Sequence, residues 1–250
     1  MNKSYWEKIA ASYDEEIFDV LQQDRKGIIR KEIKKQAKQY RSVIDIGCAV
    51  GKWLPLLAGL FPKVTAVDIS DNNLSLAREN NSGYPHIQYI QADMTSPAIN
   101  LPVHDVAICI NAILIASAGK QEHFIKNMAD TLCPGGALIL TVPSLESWML
   151  TRSVQQRWQI DKSLFSETTE DKEAALRYQE LQKGHAEIDN VLTKHFLGEE
   201  LDILLPRYGL QVIKRKKIEY AWDTEFKKPP VWLQQPGPWD WMVLAQKNIS

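Results

Sequence analysis

Three aspartates close three successive β-type runs. Asp45 follows Val43-Ile44, Asp68 follows Val64-Thr65-Ala66-Val67, and Asp93 ends the stretch that begins at Ile87. Their spacings, 23 and then 25 residues, each match one strand–helix repeat. Carboxylates accept hydrogen bonds at both oxygens, so such a set can hold hydroxyl pairs, amino groups or a cation. Gly47-Cys48-Ala49-Val50-Gly51 follows the first aspartate, and a glycine turn there lets a ligand approach the backbone closely. In a parallel sheet all strand C-termini open onto one edge. The three acids therefore converge on one crevice, where open α/β sheets bind ligands.

The elements that must position them alternate regularly. Strands are expected at 42–46, 63–68, 87–92, 105–110 and 137–142, with helices between them carrying Trp53, Leu54 and Leu57, then Leu74 and Ala77, then Phe124, Ile125 and Met128. Cys133-Pro134-Gly135-Gly136 is expected to end the last of these helices. Strand–helix alternation implies a doubly wound, mostly parallel α/β sheet with right-handed crossovers. Residues 5–40 read as helical with a break near Gly27. After Pro143 no strand is evident until Leu210, and 144–195 reads as two helical stretches, a helical insertion leaving the sheet at the crevice edge as a lid. Leu201 to Tyr208 form a last helix stopped by Gly209. The proline-rich link between 210–220 and 239–245 is too short for a helical crossover, so those strands pair antiparallel. The chain divides into a helical cap (1–41), a ligand-binding core (42–143), the insertion (144–195) and a last helix with a C-terminal hairpin (196–250), all within one domain.

Composition excludes several classes. The chain has 250 residues and a net charge of −1, which gives no global reason to bind nucleic acid. The basic stretches Arg25–Arg41 and Lys214-Arg215-Lys216-Lys217 read as solvated faces. No apolar run has membrane-spanning length, and the start lacks a signal-peptide core. Cys48, Cys109 and Cys133 form no CxxC pair, which suggests reduced thiols in the cytoplasm. The five histidines show no metal-ligand spacing, so no metal is expected.

The segment Val43-Ile44-Asp45-Ile46-Gly47-Cys48-Ala49-Val50-Gly51, with Asp68, Asp93 and Pro134-Gly135-Gly136, resembles class I S-adenosylmethionine-dependent methyltransferases. The resemblance implies a Rossmann-like, seven-stranded sheet with an antiparallel last strand. It also implies S-adenosyl-L-methionine as cofactor and S-adenosyl-L-homocysteine as product. Asp68 would then accept both ribose hydroxyls, with Ile69 beside it. Asp93 would accept the adenine amino group, with Met94 against the ring. Gly47 and Gly51 would admit the methionine part, flanked by Cys48 and Ala49. Asp45 and the Gly47 carbonyl would face its ammonium, Asn111 would line the same side, and Tyr13 would close over it. Ala49 stands where the family has a middle glycine, which expects a negative φ there.

The implied reaction is methyl transfer to a small-molecule acceptor. No catalytic base is assigned: His123, His185 and His195 are the acid–base candidates, and His195 reads as structural. Some of Trp148, Trp158, Trp222 and Trp232 are expected in an acceptor pocket, while Trp239 and Trp241, two apart, read as strand-face residues. Two alternatives remain open. One is an NAD(P)-dependent oxidoreductase, for which the Gly-x-Ala-x-Gly turn lacks the usual final three-residue interval. The other is a non-catalytic S-adenosylmethionine-binding module.

Overall fold

β-branched residues dominate the central strands, and they pack well on a pleated sheet buried on both faces. The computed structural model describes residues 3–10, 18–161, 171–188 and 191–249. The helices are α1 (Lys3–Ile9), α2 (Val20–Gln23), α3 (Ile28–Gln36), α4 (Leu54–Ala58), α5 (Asp71–Asn80), α6 (Ala118–Asp130), α7 (Leu145–Trp158), α8 (Asp171–Gln182) and α9 (Gly198–Leu204). The strands are β1 (Ser42–Ile46), β2 (Lys63–Asp68), β3 (Ile87–Gln91), β4 (His104–Ile110), β5 (Leu132–Pro143), β6 (His185–Ile188), β7 (Val191–Lys194), β8 (Leu210–Glu219) and β9 (Trp239–Lys247).

Seven strands form one sheet in the order β3-β2-β1-β4-β5-β9-β8. β1 to β5 run parallel, and β9 is antiparallel to both β5 and β8. The order reverses beside β1, between it and β4, which puts the topological switch point at the end of β1. Each face carries its own core. Val43, Val64, Val106 and Ile139 meet Ile29, Ile33 and Leu57 on one side; Ile44, Ala107, Leu138 and Val243 meet Phe124, Ile125, Met128 and Leu201 on the other.

Local chemistry fixes the helix ends around the crevice. Ser70 caps α5 by accepting from Asn73 N at 3.1 Å. Gly27 sits at φ 61°, in the left-handed region, and breaks the N-terminal helical run as expected. The buried Asp24 then caps α3 by accepting from Ile28 N and Ile29 N. Glu7 of α1 accepts from Asp71 N at 2.9 Å and Asn72 N at 3.2 Å, so one helix caps another and α1 is tied to the crevice edge. Those N–H groups hold the Glu7 carboxyl below its ordinary range in spite of some desolvation.

Two expectations need correction, and a third falls outside the described residues. The insertion is not purely helical: β6 and β7 pair antiparallel, with His185 opposite Lys194 and Ile188 opposite Val191. Four-residue strands are too short to show a period, and α8, which ends at Gln182, is followed two residues on by Gly184 in the left-handed region. Cys133-Pro134-Gly135-Gly136 does not stop α6, which already ends at Asp130; it is a bulge within β5. Leu132 pairs with His104, and the register resumes with Ala137 opposite Val106, so the four residues between absorb the proline and a left-handed Gly135. Tyr13, expected to close the site, lies outside the described residues.

Candidate functional site

Two adjoining cavities open at the C-terminal edge of the sheet. The larger, about 360 Å³, is bounded by Asp68 and Ile69 after β2, Asp93 and Met94 after β3, and Asn111 and Ala112 after β4. The smaller, about 150 Å³, is bounded by Asp45, Gly47, Cys48 and Ala49 after β1, together with Asn111 and Pro143. Gly47, Ala49, Ile110, Asn111, Leu114 and Trp6 border both, so the two are parts of one crevice. Its volume falls in the range of small-molecule sites. The convergence expected of the three aspartates is present, with Asp45 at one end and Asp68 and Asp93 at the other.

The carboxylates differ in what already occupies them. Asp68 Oδ1 accepts from Ser70 N and Oδ2 from Ala49 N, each at 2.9 Å. Asn73 Nδ2 adds a longer bond to Oδ1 at 3.4 Å, so of about four acceptor positions one is free on Oδ2, and a second hydroxyl of a vicinal diol would replace that longer bond on Oδ1. Asp93, which borders the larger cavity, accepts at Oδ1 from Thr95 N and Thr95 Oγ1, both at 2.8 Å, which fixes the carboxylate and leaves Oδ2 the freer acceptor. Asp45 is buried, and its Oδ2 has no hydrogen-bond partner. Burial, reinforced by the charge of Asp68, pushes its pKa up to about 7. A buried carboxylate oxygen without a donor is costly, and a cationic ligand group at this point relieves the cost.

The glycine-rich turn behaves unlike its sequence reading at two positions. Ala49 has φ 47°, not the negative value expected. The turn must bring its N–H onto Asp68 Oδ2, and the left-handed geometry achieves this at a steric cost that glycine would not incur. Gly51, expected beside the ligand, borders neither cavity: its φ is 82°, and a Cβ there would lie 2.7 Å from Asn81 Nδ2 and 2.9 Å from Leu54 Cδ1. It serves close packing against α4 and α5. Gly47 does border the crevice, and a Cβ there would meet Ala112 Cβ at 2.4 Å.

Asn111 is tied to the C-terminal strand. At φ 49° it turns at the end of β4 and its Nδ2 donates to Asp240 Oδ2 at 2.7 Å, while its Oδ1 is buried without a partner. Tyr220 OH donates to the same Asp240 oxygen at 2.7 Å. Burial pushes the Asp240 pKa up to about 6 in spite of these two donors. Asp240, the second residue of β9, lies opposite Pro143, so antiparallel pairing delivers it to the crevice edge from the far end of the sequence.

Other residues were missed for want of a motif. Lys3 and Trp6 of α1 border the larger cavity; Phe18, Asp19, Lys52 and Trp53 border the smaller. Lys52 Nζ bonds Asp19 Oδ2 at 2.9 Å, placing an ammonium in the same cavity as Asp45. Conversely, none of Trp148, Trp158, Trp222, Trp232, Trp239 or Trp241 borders either cavity. α7 packs its Val154 against Trp222 and Phe226, and Trp239 and Trp241 meet edge to face along β9. The insertion reaches the crevice through Ile188 of β6. The histidines bond elsewhere: His123 Nδ1 to the Thr95 carbonyl, His185 Nδ1 to Glu180, and His195 Nδ1 to the Thr193 carbonyl. Burial holds His195 down at about 4, so it stays neutral at pH 7. Among the described residues no group of three or more His, Cys, Asp or Glu is placed to hold a metal ion.

Comparison with known proteins agrees with this geometry. Residues 43–136 match the family model of a methyltransferase domain. A malonyl-[acyl-carrier protein] O-methyltransferase of Halalkalibacterium halodurans is 30% identical over 116 residues, covering 44% of this chain and 42% of the relative. A trans-aconitate 2-methyltransferase of Paracidovorax citrulli is 34% identical over 103 residues, covering 40% and 38%. The chain thus spans about two fifths of the length of the curated relatives it matches. Among solved structures, a SAM-dependent methyltransferase from Methanosarcina mazei superposes with TM-score 0.59 at 18% identity, over 85% of this chain and 95% of that one. The N-methyltransferase NodS of Bradyrhizobium japonicum, in complex with S-adenosyl-L-homocysteine, gives 0.54 at 13% identity over 87% and 86%. Residues 43–136 thus match a methyltransferase-domain model, and the sheet order agrees with the fold of the methyltransferase structures on which the chain superposes.

Proposed function

We propose that the protein is an S-adenosylmethionine-dependent methyltransferase acting on a small-molecule acceptor. The observation that carries this reading is the charge pattern of the crevice. The larger cavity has Asp68 and Asp93 poised as acceptors, and the smaller holds a buried, unpartnered Asp45 oxygen within the same wall as Lys52. An adenosine joined to a zwitterionic amino acid presents the complementary groups in that order. Asp68 takes the ribose hydroxyls, Asp93 Oδ2 the adenine amino group, Met94 and Ile69 the ring faces, Asp45 the ammonium, and Lys52 the carboxylate. Gly47, Cys48 and Ala49 form the floor, and Asn111 separates the cofactor from the acceptor side. Tyr13 remains a proposal from the family resemblance.

The bound cofactor supplies an electrophilic methyl group on a sulfonium. The chain's own part is to align an acceptor in line with that methyl and to exclude water. Such positioning accounts for much of the acceleration in displacement chemistry. None of the histidines faces the cavities, so no residue is assigned as a base. α1 and the β6–β7 hairpin are the segments we propose to close over the ligand, since Trp6 and Ile188 already border it. We place the protein in the cytoplasm on its unpaired cysteines; among the described residues no helix is long and apolar enough to cross a membrane.

The test is titration calorimetry with S-adenosylhomocysteine on the wild type and Asp68→Ala. Losing hydrogen bonds to the ribose should weaken binding by roughly 1.5–3 kcal/mol. Equal affinity of the folded variant would remove Asp68 from the site.

A further inference from the structure

The link between β8 and β9 carries an exposed aromatic tip. β9 begins opposite Glu219, and its second residue pairs with Pro143 at the C-terminal end of β5. The link therefore emerges at the same sheet edge as the crevice. Its base is rigid: Trp222 and Phe226 stack at 5.5 Å with their planes 3° apart, pack on Val154 and Ile160, and Trp222 Nε1 donates to the Pro236 carbonyl at 3.1 Å. Its tip faces solvent. Val231 is 89% exposed and Trp232 57%, and Trp232 meets Trp158, itself 49% exposed, edge to face at 5.2 Å.

A soluble surface gains nothing from presenting two indoles and a valine together to water. The flanking charge is one-sided. From Phe226 to Trp239 the chain has Lys227 and Lys228 and no acid, and Arg157 lies over the Trp158 ring at 5.4 Å. The nearby acids are at the foot of the link: Asp161 accepts from Lys227 N, and Asp223 and Glu225 precede Phe226. Indoles favour the boundary between headgroups and acyl chains, and lysines beside them meet lipid phosphates. Pro229 and Pro230 stiffen the approach to the tip, which lowers the entropy lost on insertion.

We propose that Trp158, Val231 and Trp232, flanked by Arg157, Lys227 and Lys228, dock the protein on the interface of an anionic lipid bilayer, with the crevice edge turned toward the membrane. This surface is separate from both cavities and stands or falls independently of the methyltransferase reading.

The test is co-sedimentation of the full chain with vesicles of phosphatidylcholine, with and without phosphatidylglycerol. The wild type should bind the anionic vesicles. Val231→Ser with Trp232→Ser should reduce binding at least about tenfold, since half-exposed apolar side chains lose their insertion energy. Lys227→Gln with Lys228→Gln should reduce binding to anionic vesicles about 25-fold, near fivefold per lysine, with little change on phosphatidylcholine alone. All altered residues are on the surface, and an unchanged circular-dichroism spectrum and urea midpoint verify folding. Absence of wild-type binding, or binding indifferent to both pairs of changes, overturns the proposal. So does a wild-type dimer by ultracentrifugation that the Val231→Ser, Trp232→Ser protein no longer forms, because the patch is then a contact between copies.

Discussion

Asp45→Asn should stabilise the ligand-free protein and weaken its affinity for S-adenosylhomocysteine. The carboxyl stands at about 7 in the fold against an ordinary 3.8, because it is buried, lacks a partner at Oδ2, and feels Asp68. The folded state therefore binds this proton more tightly than the unfolded chain does. Its contribution to stability falls as pH rises from about 4 to about 7 and is level above that. The full difference is on the order of 4 kcal/mol, a ceiling that relaxation of the site reduces. Denaturant unfolding of wild type and variant, measured without ligand at pH 5 and pH 8, reads it out. Asp68 and Asp240 also have raised values, so the informative quantity is the difference between the two proteins. The variant's advantage should grow by at least about 1–2 kcal/mol from pH 5 to pH 8. In the wild type, affinity for S-adenosylhomocysteine should fall below pH 7, by up to about tenfold per pH unit, because an ammonium pairs only with the ionised form. A variant equally or less stable than wild type at pH 8, or wild-type affinity indifferent to pH between 5.5 and 7, would refute the reasoning.

Ala49→Gly should raise stability by about 0.5–1 kcal/mol, since relief at φ 47° outweighs the added freedom of the unfolded chain; the urea midpoint measures it. Gly47→Ala should lower both stability and cofactor affinity, because its Cβ would collide with Ala112 beside the cavity. Gly51→Ala should cost about 2 kcal/mol or more in stability but, in the fraction that stays folded, leave affinity near wild type, since Gly51 faces Leu54, Ala77 and Asn81 and borders neither cavity. Hydrogen exchange in α1 and in the β6–β7 hairpin should slow on adding S-adenosylhomocysteine, with the central strands unchanged; no slowing in either would remove them as closing segments.

The parallel core was legible because each of its elements announces itself locally. β1, β2 and β4 are near-continuous apolar runs, Asp45 and Asp68 stand at the ends of the first two, and Asp93 follows the alternating β3 by two residues. What was hidden depends on distance in sequence or on backbone geometry. Asp240 reaches Asn111 only because β9 runs antiparallel beside β5, 129 residues later. Lys52 and Asp19 form one wall through a contact that no periodicity marks. The positive φ of Ala49 follows from its N–H bonding Asp68, a tertiary demand that overrides the preference of alanine. Trp148 and Trp222 looked like pocket residues because they are aromatic and follow β5, but α7 buries its face against the C-terminal link instead.

The most direct test of the central claim is calorimetric titration of the ligand-free protein at pH 8 with S-adenosylhomocysteine, run beside NADH and NADPH. The account predicts one-site binding of S-adenosylhomocysteine, weakened by both Asp68→Ala and Asp45→Asn, and no heat with either dinucleotide. No heat with S-adenosylhomocysteine from folded protein, or saturable binding of a dinucleotide in its place, would contradict it.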